Sequence, residues 1–273
     1  MEYTTQNVRR FRKYPVSRVS RAIVRRPAPS ITDGLRTTDQ GTPDYERAVV
    51  QHDAYCAALE RCGVELTRLP SIGDYPDSTF VEDTAILTRG CAILTRPGAP
   101  SRVGEVGLIA PELKAWFRAV EGIEEPGTMD GGDICEAGNH FFIGISERTN
   151  EAGARQLSRV LTRLGHDSTF IDIRASSGLL HLKSGLAYLG DNRLVVTNSL
   201  ANLKEFAGYE LVHVAEGEEY AANCVRINDE VLIARGFPVF AATLASLDYK
   251  TTALDMSEFQ KLDGGLSCLS LRF

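Results

Sequence analysis

Apolar and polar positions along this chain fall into short alternating stretches, separated by turn residues and interrupted by longer helical patterns. Val19–Arg25 reads as a first strand, followed by a loop at Asp33-Gly34-Leu35. The period then changes. Tyr45, Val49, His52, Tyr55, Cys56 and Leu59 lie at helical spacing behind Pro43, which predicts a helix over Asp44–Cys62. Gly63 ends it, and Val64–Leu69 is predicted as a short strand.

From residue 78 onward one unit recurs. Thr79–Leu87 and Cys91–Thr95 flank a turn at Arg89-Gly90, and Ile134–Ala137 and His140–Ile145 flank Gly138-Asn139. Gly185–Leu189 and Arg193–Thr197 flank Gly190-Asp191-Asn192, and Asn223–Ile227 and Glu230–Ala234 flank Asn228-Asp229. Gly, Asn and Asp tolerate the positive φ that tight hairpins need. A helical pattern follows each hairpin, over Arg102–Val120, Glu147–Leu164 (capped at Thr149-Asn150), Asn198–Phe206 and Pro238–Leu247. A short apolar strand follows each helix, over Glu121–Glu124, Thr169–Ile173, Glu210–Val214 and Tyr249–Leu254. The repeat of roughly 45–55 residues predicts one α/β domain over 19–273, a five-bladed ring of ββαβ modules around a central channel. The first strand, the Asp44 helix and the C-terminal tail complete its fifth module. An open doubly wound sheet is the alternative, but no G-x-G-x-x-G or phosphate loop supports it.

Composition narrows the class. The apolar fraction of 43% and charged fraction of 24% suit a globular domain with a substantial core. No apolar run approaches the ~18 residues of a membrane span. The net charge of −6 argues against a general nucleic-acid binder and favours a cationic ligand. Residues 1–18 are polar and basic at first, without a secretory apolar stretch, and read as a poorly ordered extension. Cys56, Cys62, Cys91, Cys135, Cys224 and Cys268 form no C-x-x-C pair, and the histidines show no zinc spacing with them. Reduced thiols in a cytoplasmic protein are expected.

Chemistry collects at equivalent places in the repeat. Asp77-Ser78-Thr79-Phe80-Val81-Glu82-Asp83 opens the first hairpin, Asp130-Gly131-Gly132-Asp133 the second, and His181 precedes the third. Cys268 follows Gly264-Gly265 before the closing strand Leu269–Phe273. Taken singly, each has a plain reading: solvated acids, a tight turn, a core histidine, a core cysteine. In a ring, equivalent module ends face one centre, so a thiol, a proton carrier and acids would converge there, as nucleophilic catalysis requires. Grouped carboxylates beside such a thiol suit a planar guanidinium.

Seven segments in order, PDSTFVED (76–83), PGAPSRVGE (97–105), PGTMDGGD (126–133), GISERTN (144–150), LHLKSGL (180–186), YAANC (220–224) and KLDGGLSC (261–268), resemble the dimethylarginine dimethylaminohydrolases. Those enzymes belong to the guanidino-group-modifying, or pentein, superfamily, and the resemblance runs from about residue 19 to the end. It implies a five-bladed ring and hydrolysis of Nω-methylated arginines to citrulline through a covalent cysteine intermediate, with no metal or organic cofactor. It makes Cys268 the nucleophile, His181 the general acid and base, and Asp130 the acid that orients His181. Glu82 and Asp83 become the guanidinium-binding pair. Asp77 and Phe80 join the substrate contacts, Arg102 and Arg148 hold the substrate carboxylate, and Leu35 and Leu262 meet the amino-acid end through backbone atoms. The two glycines before Cys268 are expected to let backbone approach a flat substrate. The partner is a small molecule, neither nucleic acid nor membrane, bound by a monomer or homodimer. Arginine deiminase and amidinotransferase are the enzymatic alternatives, and a ribosome anti-association factor of the same fold is the non-enzymatic one.

Overall fold

The computed structural model describes residues 18–176 and 178–273; of the N-terminal extension expected over 1–18, residues 1–17 lie outside them. Fifteen strands form five three-stranded sheets. Each sheet is an antiparallel hairpin joined to a parallel third strand. These are β3 (Ala85–Thr88), β4 (Cys91–Leu94) and β5 (Ala119–Gly122), then β6 (Ile134–Ala137), β7 (His140–Ile145) and β8 (Asp167–Asp172). β9 (Leu186–Gly190), β10 (Arg193–Val196) and β11 (Glu210–His213) follow, then β12 (Val225–Ile227), β13 (Glu230–Ala234) and β14 (Lys250–Leu254). The remaining sheet takes β15 (Leu271–Arg272) from the far end of the chain, antiparallel to β1 (Arg21–Arg25), with β2 (Glu65–Leu69) parallel on the other side. The order hairpin, crossover, parallel strand is thus kept in all five modules, and the two ends of the described chain share one of them.

The apolar strands are explained by five cores, one at each junction between neighbouring modules. Side chains alternate across a strand, so each face can enter a different core. Ala22 and Val24 pack with Val225, Leu232 and Phe259, whereas Ile23 between them packs with Val81, Ala92 and Leu113. Phe141 and Ile143 join Ile86 and Ile93, while Phe142 faces Leu186 and Phe206. Val195 meets Val231 and Phe240 at the remaining junction. Burial on both faces removes the polar-out alternation of a solvated sheet and closes the ring.

Helices occupy four of the five crossovers. α1 (Tyr45–Arg61) is capped by the Asp44 carboxylate, which accepts from Arg47 N at 2.9 Å. α2 covers Glu105–Trp116 and α4 covers Pro238–Ser246. α3 (Glu151–Arg163) is capped by Asn150, whose Oδ1 accepts from Gly153 N at 2.8 Å, as its sequence predicts. The helix expected over 198–206 does not form. Thr197, Leu200 and Leu203 carbonyls each accept from the amide three residues on, and only Lys204–Phe206 is 3-10 helix. Asn198, Ser199 and Asn202 favour turns over helix in this stretch. The strand expected over 79–87 begins only at Ala85, because Val81–Thr84 is a 3-10 turn. β5 likewise lies two residues before the predicted position.

Candidate active site

A 3-10 turn enters the first strand of every sheet: Val81–Thr84, Gly131–Asp133, Leu182–Ser184, Glu219–Ala222 and Ser267–Leu269. The turn of 81–84 packs on those of 131–133 and 267–269, the turn of 131–133 on 182–184, and 182–184 on 219–222. Hydrogen bonds between Asn223 and Ser267, one donated by each, close the circle. The chemistry-bearing residues sit in or beside these turns, so the ring brings together groups remote in sequence. The Asp-Gly-Gly-Asp motif serves this approach. A Cβ on Gly131 would lie 2.0 Å from Glu82 O, and one on Gly132 would lie 2.8 Å from the His181 ring.

One cavity is lined by Leu35, Asp77, Phe80, Asp83, Arg102, Arg148, Leu180, His181, Leu262, Asp263, Gly264 and Cys268. The convergence anticipated from the sequence therefore occurs, with two exceptions among the candidate residues. Asp130 is fully buried behind the wall, where Oδ2 meets His181 Nε2 at 3.0 Å and Oδ1 accepts from Gly98 N at 2.9 Å. Glu82 points away from the cavity. Its carboxylate takes Lys183 Nζ at 2.6 Å, Arg272 Nη2 at 2.8 Å and Ser267 Oγ at 2.8 Å. Neighbouring side chains on a 3-10 turn diverge by about 120°, so Glu82 and Asp83 cannot share one face as the expected pair.

Asp83 stays on the wall, accepting from Gly132 N at 2.8 Å and pairing with Arg102 Nη1 at 2.5 Å. Each of its oxygens keeps a lone pair for another donor. Arg102 is only 5% exposed, and its fork is occupied by Asp83, Glu105 and the Phe80 carbonyl. The guanidinium that the resemblance assigns to the substrate carboxylate thus lines the cavity while two acids neutralise it, as burial of the charge requires. Arg148 is half-buried, and among the described residues its guanidinium carries no hydrogen bond or ion pair. Asp77 Oδ1 accepts from Leu35 N at 3.0 Å. Burial raises its pKa, against the pull of Arg102, the Leu35 amide and Arg148.

The thiol and imidazole hold their protons tightly. Burial pushes the Cys268 thiol up to about 12, helped by the charges of Glu82 and Asp83 and opposed by the Gly265 N–H and Lys183. The Gly265 amide donates to the sulfur at 3.4 Å. Burial works against a charged His181, yet Asp83, the bond to Asp130, and Asp133 outweigh it and bring the imidazole to about 9. His181, Asp83 and Asp130 also offer three ligand atoms within 4.8 Å. Those atoms are already engaged with one another, Arg102 and backbone amides.

Sequence reasoning passed over several supports. Asp133 is fully buried and accepts from Leu182 N, Ser146 Oγ and Thr149 Oγ1 at 2.9, 2.7 and 2.6 Å. It thereby links the His181 turn to the loop bearing Arg148. Its place in Asp130-Gly131-Gly132-Asp133 was the available signal, as was the i,i+3 spacing of Glu105 from Arg102. The glycines before Cys268 make room for protein rather than substrate. A Cβ would lie 2.3 Å from the Phe80 ring at Gly264, and 2.5 Å from the Asn223 carboxamide at Gly265.

The family model described as arginine deiminase matches residues 71–225. A dimethylarginine dimethylaminohydrolase of Pseudomonas aeruginosa is 44% identical over 252 residues, 92% of this chain and 98% of that one. The chain belongs to the dimethylarginine dimethylaminohydrolase family. A Streptomyces coelicolor dimethylarginine dimethylaminohydrolase is 35% identical over 92% of this chain and 96% of its own length. The crystal structure of a cysteine-to-serine variant of the Pseudomonas aeruginosa enzyme, complexed with citrulline, superposes with a TM-score of 0.91 at 42% identity, covering 94% of this chain and all of that one. The five-module ring is the fold of this dimethylarginine dimethylaminohydrolase family member.

Proposed function

We propose that the protein hydrolyses asymmetric dimethylarginine and monomethylarginine to citrulline, releasing dimethylamine or methylamine, with Cys268 as nucleophile. The observation that carries the reading is the charge layout of one cavity. A buried thiol and a proton-bearing imidazole share it with the Asp83 carboxylate and with the unpaired Arg148 guanidinium. That layout fits a substrate with a cation at one end and a carboxylate at the other.

Before substrate arrives, Cys268 is a thiol. A cation ~4 Å from the sulfur is worth about 4 kcal/mol at an effective dielectric of about 20. That brings a thiol at about 12 down to about 9, so binding itself favours the thiolate. Asp83 fixes the guanidinium plane and keeps it protonated, which makes its carbon the more electrophilic. The thiol proton leaves to solvent, and the sulfur adds to that carbon. His181 then gives its proton to the departing amine, which leaves as a neutral molecule. The neutral imidazole takes a proton from water as the water adds to the thiouronium carbon. The carbon–sulfur bond breaks, citrulline forms, and His181 is again protonated. Asp130 holds the imidazole in place, Arg148 takes the substrate carboxylate, and Asp77 takes the α-amino group.

We read 19–273 as one catalytic domain acting as a monomer or homodimer. No helix among the described residues is long and apolar enough to cross a membrane, and the six free thiols fit a reducing compartment. The arginine deiminase family match favours a second reading, the same chemistry on unmethylated arginine with ammonia released. The two separate when the protein is incubated with asymmetric dimethylarginine, monomethylarginine and arginine, and citrulline, dimethylamine, methylamine and ammonia are assayed. Equal dimethylamine and citrulline support the proposal. Ammonia from arginine at the higher kcat/KM overturns it. Cys268→Ser should abolish turnover and retain substrate binding; residual turnover would remove Cys268 from its role.

A further inference from the structure

Four of the five 3-10 turns bring a reacting or supporting group to the cavity or, for Asp130, to the wall behind it: Asp83, Asp130, His181 and Cys268. The fifth, Glu219–Ala222, lines none of it. Its exit residue, Asn223, is 7% exposed and faces the turns on either side. Asn223 Oδ1 accepts from Ser267 N at 2.9 Å, and Nδ2 donates to Lys183 O at 3.1 Å and Ser267 Oγ at 3.1 Å. One short carboxamide therefore joins the backbone next to Cys268 to the backbone of the turn that His181 opens. A carboxamide suits this position because it carries both an acceptor and two donors in one rigid plane.

Glu82 reaches the same two segments, but only through the tips of Lys183 and Ser267 side chains. Such contacts balance charge without fixing where the backbones lie. Asn223 binds backbone on both sides, and its carboxamide fills the space left by the missing Cβ of Gly265. From the same turn, Tyr220 OH donates to Gly264 O at 2.7 Å, gripping the Cys268 segment a second time.

We propose that Asn223 is a positioning residue for the hydrolysis, setting the separation and bearing of the Cys268 sulfur and the His181 imidazole without touching substrate. This rests on the hydrolase reading above. Sulfur and imidazole must act on the same carbon and its leaving group in succession, so their spacing governs both steps. A displacement of about 1 Å in such a pair costs about 100-fold in rate. Substrate capture by Arg148 and Asp77 does not pass through Asn223.

The test compares wild type with Asn223→Ala and Asn223→Ser, in which a short hydroxyl reaches at most one turn. Steady-state rates on asymmetric dimethylarginine, acid-quench mass spectrometry of the covalent adduct, and melting temperature are measured. The expected result is kcat lower by about 100-fold with KM within about twofold, and an altered fraction of adduct at steady state. Unchanged kcat in variants that merely melt earlier overturns the proposal, as does a KM that rises in step with any loss of kcat/KM. If neither variant folds while Cys268→Ser does, Asn223 is a folding element and the proposal fails. Absence of turnover in wild type would instead refute the hydrolase reading, so the two failures are distinct.

Discussion

The proton on His181 links stability to chemistry and can be measured directly. An unperturbed imidazole titrates at 6.5. In the folded chain burial opposes the charge, but Asp83, Asp130 and Asp133 raise the value to about 9. The difference corresponds to about 3 kcal/mol of folding free energy. Because the folded state binds this proton more tightly, the contribution is fully present below pH 6.5 and is lost as pH rises through about 9. Asp130→Asn removes one of the three charges and leaves Asp83 and Asp133 in place. Its His181 midpoint should fall part of the way back toward 6.5, and its alkaline loss of stability should shrink. The assay is imidazole titration by NMR, combined with urea unfolding at about pH 6 and about pH 10. A wild-type midpoint near 6.5, or an Asp130→Asn midpoint that does not move, would refute the electrostatic argument. The activity profile follows the same proton, with kcat/KM declining above about pH 9 as the acid for the leaving amine is lost from the free enzyme.

The two cavity arginines should separate cleanly. Arg102→Ala leaves Asp83 and Glu105 buried without their cation and should lower stability by about 3–5 kcal/mol in urea unfolding. Arg148→Ala should leave the melting temperature within a degree or two of wild type and raise KM about tenfold or more, as expected for loss of a charge-assisted bond to a carboxylate. Gly132→Ala would press a methyl against the His181 ring and Asp83, both confined by their own bonds, and should depress kcat in a protein that still binds substrate. Alkylation of Cys268 by iodoacetamide should be slow at neutral pH and should accelerate when a small guanidinium cation is added, as read by adduct mass; equal rates would remove the substrate from thiol activation.

Much of the ring was legible because its turns are written in glycine, asparagine and aspartate. β6 and β7 occupy the predicted residues, with Gly138 at φ 72 between them, and Asn228 at φ 54 turns β12 into β13. The membership of the tail in the fifth module, beside the first strand, was legible from its alternation. What escaped was the 3-10 turn before each hairpin. Three or four residues leave no periodicity to detect, and Val81–Thr84 carries the β-branched residues that suggest strand. That one misreading displaced Glu82. Two adjacent acids look equivalent in sequence, whereas the turn sends Asp83 to the cavity and Glu82 to Lys183 and Arg272. The bonds of Arg102 were only partly legible, because Glu105 lies three residues on whereas Asp83 and the Phe80 carbonyl are remote in sequence. The role of Asn223 was equally hidden, since it depends on two neighbours that only ring closure supplies.

The carboxylate field around Cys268 also bears on the state in which the enzyme waits between turnovers. On the proposed chemistry the sulfur becomes a nucleophile only while a cation lies beside it, and the product citrulline is neutral at that end. Once the amine has gone and water has taken its place, burial and the charges of Glu82 and Asp83 again outweigh the Gly265 N–H and Lys183 and return the sulfur to the thiol. The residue that opened the bond is then disarmed against its own product. On that chemistry the sulfur is rearmed by the charge of the next substrate rather than by movement of the protein, and the resting enzyme carries a protected thiol.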